Sequence, residues 1–261
     1  MSINGLYRQA MPRFSDAQVV ELFHLAFLQV LQARLDQARY VLKGGANLRY
    51  FFDSVRYSED IDFDFDEVAP WVLTEKVDGV LDSSTIDVVL RSGGLALDGF
   101  TKPKQTETTR RWKVSIAVSG RRAPVRTKIE FSHRNGERRH VLEPVASRTV
   151  APYALRAPTV QHYTADAAAE QKIRALAGRS ETQARDVFDL DLLLRRQPLA
   201  AGTIDSQTLR RAAERGLELP FDAFRDQVLP FLDPEVAELY DAVGSWEQMQ
   251  LFVADKLLET Q

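Results

Sequence analysis

Hydrophobic and polar positions repeat along the chain with two periods, and the changes of period divide it into elements. Val20, Phe23, Phe27, Val30, Leu31 and Leu35 recur every three to four residues. That spacing predicts a helix from Ser15 or Asp16 to about Ala38, behind a lead-in over residues 1–14. His24 lies beside the stripe and reads as a packed helix residue. Tyr40 to Leu42 predicts a short strand. Gly44-Gly45 then opens a short helix from Ala46 to Phe52, followed by a turn at Asp53 to Arg56. From Ser58 the period switches to two: Asp60, Asp62 and Asp64 alternate with Ile61, Phe63 and Phe65. A helix is expected from near Pro70 to about Val80, a strand over Ile86 to Arg91, and a turn at Ser92-Gly93-Gly94. Trp112, Val114, Ile116 and Val118, then Val125, Thr127, Ile129 and Phe131, form two alternating runs joined by a turn at Gly120 to Pro124. They read as an antiparallel hairpin with Trp112 in the core.

Pro144, Pro152 and Pro158 mark a stretch without periodicity. A division into residues 1–150 and 151–261 is expected there. Beyond it the pattern is helical. One helix runs from a Thr164 or Asp166 cap through Leu176 and closes at Gly178. The next carries Arg185, Asp186 and Asp189. Four more are expected near 205–216, 220–230, 233–244 and 246–259. The fold class is α+β: a short mixed sheet with flanking helices, then a helical C-terminal part that closes over a cleft.

Chemistry concentrates between Val41 and Asp66. Strand side chains alternate between faces, so Asp60 and Asp62 share one face, about 6–7 Å apart at the backbone. Their oxygens can converge on one hard divalent cation, and Mg²⁺ is commonly held by one or two carboxylates plus substrate phosphates. The glycine-opened helix just upstream offers free N–H groups and a positive dipole end, which favour phosphate. Glycine also allows close approach to the backbone. Taken alone, the double glycine reads as a turn and the aspartates as a solvated strand face. Their order and proximity make the combination specific.

This stretch resembles the AbiEii/AbiGii-type (MenT-like) nucleotidyltransferase toxins, within the polymerase-beta-like superfamily. The superfamily pattern is Gly-Gly or Gly-Ser, a short helix, then Asp-x-Asp on a strand. Here these are Gly44, Gly45 and Asp60-Ile61-Asp62. Gly45 stands where many members carry serine. A second resemblance lies in AAEQKIRALAGRSETQARDVFDLDLLL, with Lys172 on one helix and Arg185-Asp186-x-x-Asp189 opening the next.

The resemblance implies a polymerase-beta-like domain and Mg²⁺-dependent nucleotidyl transfer from an NTP. It implies Asp60 and Asp62 as metal ligands, and Gly44 and Gly45 at the phosphates. Glu130 is implied as a third carboxylate from a neighbouring strand; the alternative is an ion pair with Lys128 or Arg126 on the same face. Lys172 is implied at the nucleotide and Asp186 as a holder of the site, or else both belong to an interhelical salt-bridge network. Lys43 and Arg56 are further expected phosphate contacts. Ser58 stands near a phosphate or makes a turn hydrogen bond. The implied role is that of a toxin in a toxin–antitoxin or phage-defence pair, with RNA, in particular the tRNA 3′ end, as acceptor and an antitoxin as partner. A small-molecule or protein hydroxyl as acceptor, or a non-catalytic RNA-binding module, are the alternatives.

Composition narrows this picture. With 261 residues, 44% hydrophobic and 27% charged, the chain is long enough for a sizeable core. It has no cysteine, which excludes disulfides, zinc–thiolate sites and cysteine nucleophiles. No apolar run is long enough to span a membrane, and a cytoplasmic protein is expected. Net charge is only −3, but it is unevenly spread. Gly99 to His140 holds twelve Lys/Arg against three Asp/Glu, and Asp205 to the C-terminus five against twelve. The basic segment, which includes Lys104, Arg111, Lys113 and Arg138, is suited to an RNA backbone.

Overall fold

The structure is a computed structural model and describes residues 14–134, 139–200 and 202–259. The lead-in up to residue 13 and Arg138 lie outside the described residues. In chain order the elements are α1 (Asp16–Leu31), β1 (Tyr40–Lys43), α2 (Gly44–Phe51), β2 (Asp60–Phe65), α3 (Pro70–Leu81), α4 (Ser84–Ser92), β3 (Leu95–Gln105), β4 (Thr109–Val118), β5 (Val125–His133), β6 (His140–Pro144), α5 (Ser147–Val150) and β7 (Thr159–Tyr163). Then follow α6 (Ala165–Gly178), α7 (Ala184–Arg196), α8 (Ser206–Leu217), α9 (Phe221–Gln227), α10 (Pro234–Tyr240) and α11 (Val243–Glu259).

The strands form one seven-stranded sheet in the order β3-β4-β5-β2-β1-β7-β6. It is mixed: β2 runs parallel to β5 and β1 parallel to β7, while the other neighbours are antiparallel. The alternating sequences decide its two faces. Ile61, Phe63, Phe65, Trp112, Ile129 and Phe131 are buried on one side, against α1, α3 and α4. Phe63 and Phe131 stack there at 4.5 Å between ring centres. Trp112 is fully buried as expected, and its indole N–H donates to Asp78 at 2.8 Å. The aspartates of β2 face the other side.

α1 starts with a capping box between Ser15 and Gln18. It ends at Leu31, short of the expected Ala38. The chain turns there, and Asp36 caps a 3₁₀ turn over Gln37–Arg39 that delivers Tyr40 to β1. His24 is fully buried in α1, where burial pushes its pKa down to about 3. The Thr127 hydroxyl donates to the Glu59 carbonyl at 2.8 Å, so the neutral His24 ring donates to Thr127 through Nε2, also at 2.8 Å. This chain of bonds fixes the residue just before Asp60.

The elements between α3 and β4 differ from the sequence pattern. Ile86 to Arg91 is helical, within α4, and not a strand. Ser83 accepts from the Ile86 N–H to cap it, and burial of Ile86 and Leu90, four apart, selects the helical period while Val88 is exposed. β3, which the sequence pattern does not announce, is interrupted by register shifts at Leu97/Gly99 and Thr101/Lys104. The sheet also takes in β6 and β7, and from Thr164 onward the chain is helical, as its pattern predicts.

The C-terminal helices α6, α7, α8, α9 and α11 enclose a second core around Ile173, Leu176, Val187, Leu190, Phe224 and Trp246. α2 joins the two cores: Ala46 and Tyr50 pack on the sheet side and Leu48 on the helical side. The glycine-opened helix is thus held between both halves of the molecule.

Candidate active site

β1 ends at Lys43 and α2 begins at once with Gly44. Gly44 has φ +71°, the left-handed region that only glycine enters without strain. A Cβ there would stand 3.3 Å from Asp62 Oδ2. At Gly45 a Cβ would stand 2.8 Å from Ser58 Oγ and 2.9 Å from Arg56 Nη2. The double glycine therefore lets the helix start press against the β2 carboxylate and the turn before it. A serine at Gly45, which many superfamily members carry, has no room here without movement of Ser58 or Arg56.

The ladder aligns the acidic residues. Asp62 pairs with Glu130 and Asp60 with Lys128 across the parallel β2–β5 register, so all four side chains share the polar face. Lys43 pairs with Asp62 from the other side. Lys128 Nζ stands 2.8 Å from Asp60 Oδ2 and 4.0 Å from Glu130 Oε2. Glu130 accepts from Arg111 Nε at 2.6 Å. Among the described residues none hydrogen-bonds or ion-pairs with the Asp62 carboxylate. Burial pushes its pKa up, and Asp60 and Glu130 add to the rise against Lys128 and Lys43. Burial lowers the Lys128 pKa, but the hydrogen bond to Asp60 and the nearby carboxylates outweigh it and raise the pKa overall.

The other sequence-selected residues separate into two groups. Lys43 reaches along the sheet to Asp64, at 2.5 Å, and the Tyr163 hydroxyl donates to the same buried carboxylate at 2.7 Å. Asp64, the third aspartate of the alternation, is thereby occupied by side chains. Ser58 Oγ donates to the Asp60 carbonyl at 2.7 Å, the turn hydrogen bond that was one of its two readings. Arg56, expected at the phosphates, is 4% exposed and forms a fork with Asp189: Nε to Oδ1 at 3.2 Å and Nη2 to Oδ2 at 2.8 Å.

Lys172 bridges the two fully buried aspartates of α7, 2.9 Å from Asp186 Oδ1 and 2.6 Å from Asp189 Oδ2. Arg179 completes the row at 2.7 Å from Asp186 Oδ2. Burial alone would raise the Asp189 pKa; Arg56 and Lys172 reverse this and hold it below the usual carboxylate range. The interhelical network anticipated for Lys172 and Asp186 is present, and through Arg56 it reaches the space beside Gly45. Sequence reasoning missed the Arg56–Asp189 pair, whose partners are 133 residues apart, and, though it put Lys128 beside Glu130, the pairing of Lys128 with Asp60. The one available signal for Lys128 was its position two residues before Glu130 in an alternating strand.

Two adjacent aspartates with hard oxygen donors, one without a protein partner, fit a divalent cation that takes its other ligands from substrate and water. Among the described residues no three His, Asp or Glu side chains form a complete metal-binding cluster. Lys128 and Arg111 take up Asp60 and Glu130 instead. Among the described residues, no helix is long and apolar enough to cross a membrane.

A mixed sheet with a glycine-opened helix against an Asp-x-Asp strand, followed by a helical C-terminal part, defines a nucleotidyltransferase fold. The chain belongs to the family described as nucleotidyl transferase AbiEii toxin, type IV TA system, which it matches over residues 26–246. Among solved structures it is similar to MenT4, a nucleotidyltransferase toxin from Mycobacterium tuberculosis H37Rv. The identity is 19%, the TM-score 0.64, and the match covers 94% of this chain and 85% of that one. It is also similar to JHP933 from Helicobacter pylori, at 18% identity and TM-score 0.55, over 94% of both chains. No curated protein matches the chain.

Proposed function

We propose that the protein transfers a nucleotide from an NTP to RNA, at the 3′ end of tRNA, and so blocks translation as the toxin of a toxin–antitoxin pair in the cytoplasm. The observation that carries this reading is the register of Asp62 with Glu130, beside Asp60, on a face closed at one end by Gly44 and Gly45.

In the reaction an acceptor 3′-hydroxyl attacks the α-phosphorus. A new P–O bond forms, the bond to the bridging oxygen breaks, and pyrophosphate leaves. Gly44, Gly45 and the first N–H groups of α2 orient the phosphates. Asp60 and Asp62 would hold Mg²⁺, which when bound supplies charge neutralisation for the triphosphate. Glu130 accepts the proton of the attacking hydroxyl. Arg56 and Asp186 act as positioning residues through the buried network, and Lys172, which bridges Asp186 and Asp189, contacts the nucleotide phosphates. Catalysis in such a site is mainly orientation and charge stabilisation.

The test is growth inhibition in cells together with label transfer from NTP to purified tRNA. Asp60→Ala and Asp62→Ala are expected to abolish both. Retention of both by either variant overturns the reading.

A further inference from the structure

The basic segment recognised in the sequence is divided by the sheet into two faces. Lys102 and Arg110 point to the helix-covered side: Lys102 pairs with Asp78 of α3 at 2.9 Å, and Arg110 lies beside Gln105, which itself touches Thr74 of α3. Arg111, Lys113, Arg126 and Lys104 share the face of the carboxylates.

Strand register gives their order. One row runs Asp62, Glu130, Arg111, Lys104 across β2, β5, β4 and β3. The adjacent row runs Asp60, Lys128, Lys113, Thr101. Arg126 lies one step further along β5, opposite Ser115. Each row starts with a carboxylate and becomes cationic outward. Three strand spacings separate Asp62 from Lys104, or about 14–15 Å at the backbone. The inner cations are engaged, Arg111 with Glu130 and Lys128 with Asp60. The outer ones are not: Lys104, Lys113 and Arg126 are exposed and pair with no described residue.

We propose that this face of β3, β4 and β5 is the track along which the acceptor RNA strand reaches the carboxylates. Its backbone phosphates are met by Lys104, Lys113 and Arg126. The proposal rests on the reading of the protein as an RNA-modifying nucleotidyltransferase and specifies the direction from which the acceptor enters. Free ammonium and guanidinium groups suit phosphodiesters, and neutralising them releases counterions from the RNA. The acidic centre repels the strand everywhere except where its end is held for reaction. The same charge located on the helix-covered face has no such role, and this separates the track from a general attraction of a basic segment for RNA.

The experiment uses the full chain, tRNA and labelled NTP, and compares two double variants of equal charge change. Lys104→Ala with Lys113→Ala removes two cations of the track. Lys76→Ala with Arg91→Ala removes two from α3 and α4, on the other side of the sheet. RNA affinity is measured by fluorescence anisotropy across a salt series, beside transfer rate and NTP binding. The track pair is expected to lose roughly tenfold in RNA affinity and to flatten the salt slope by about 1.4, from 0.7 for each single-strand phosphate contact. NTP binding stays unchanged, and the α3/α4 pair behaves as wild type. Wild-type transfer to RNA with an unaltered track pair, or equal losses in both pairs, overturns the track while leaving the proposed reaction standing. No transfer to RNA by the wild-type protein overturns the reaction itself, and the track with it.

Discussion

Lys128 lies directly across the β2–β5 ladder from Asp60, and its ammonium nitrogen is 2.8 Å from the Asp60 carboxylate. The neighbouring row of the same ladder puts Glu130 opposite Asp62. A protein cation thus stands among three carboxylates that the proposed chemistry needs for a divalent one. The arrangement holds the acidic face together without metal, because Lys128 offsets repulsion that burial strengthens at Asp62.

Removal of that ammonium gives the first prediction. In chelator, Lys128→Met leaves Asp60 without its charge-assisted hydrogen bond, at a cost of about 1–2 kcal/mol. The melting temperature is expected to fall by about 2–8 °C. Added Mg²⁺ narrows the gap to wild type, since it takes over the neutralisation. An equal gap with and without Mg²⁺, read by thermal melts, contradicts the assignment of Asp60 and Asp62 as a cation site.

The buried fork between Arg56 and Asp189 gives the second. Taking away one partner strands a charge in the interior, which typically costs about 3–5 kcal/mol. Arg56→Ala is expected to lower the urea midpoint accordingly. Transfer activity falls with it, because Arg56 packs beside Gly45. Unchanged stability in Arg56→Ala contradicts the fork.

The same pair sets a pH dependence. The folded-state pKa of Asp189 is depressed by Arg56 and Lys172 against the opposing effect of burial. Its contribution to stability is therefore fully present above the ordinary aspartate pKa of about 3.9. It is lost as pH falls through the lower folded value. Acid unfolding is expected below about pH 4, with the steepest dependence in wild type and a shallower one in Asp189→Asn. Identical acid profiles for the two proteins remove Asp189 from the account.

Gly45 gives the fourth. The Cβ of Gly45→Ala meets Ser58 Oγ and Arg56 Nη2 at under 3 Å, and overpacking of this kind costs about 1–3 kcal/mol. The loss is expected to fall more on NTP binding than on RNA binding, since the α2 start is where the proposed reaction puts the phosphates. Calorimetry with NTP and anisotropy with RNA separate the two. An alanine variant with wild-type NTP affinity contradicts the close fit.

The parts of this structure that were legible in sequence are those fixed by short-range rules. The alternation through Asp60 to Phe65 set its own faces, and the hairpin of β4 and β5 followed from two runs of period two and a Gly/Pro turn. The double glycine announced a helix start, which Gly44 makes with a positive φ. What stayed hidden depends on tertiary context. Ile86 to Leu90 is apolar and β-branched enough to read as a strand, and only burial against α1 makes it α4. β3 is kinked by two register shifts, which destroys its period. Arg56, expected at the phosphates, finds its partner on α7, 133 residues away in sequence. Lys43 likewise looked free beside the glycines, but the ladder brings it within reach of Asp64, which is opposite Val41.

The most direct test of the central claim is a transfer assay with purified protein, total tRNA, Mg²⁺ and each labelled nucleoside triphosphate in turn. Asp60→Ala serves as the control. The account predicts label on RNA with at least one nucleotide, and loss of the signal by a factor of about 10²–10³ or more in the control. Label on RNA that persists in Asp60→Ala, or no label on RNA with any nucleotide, contradicts it.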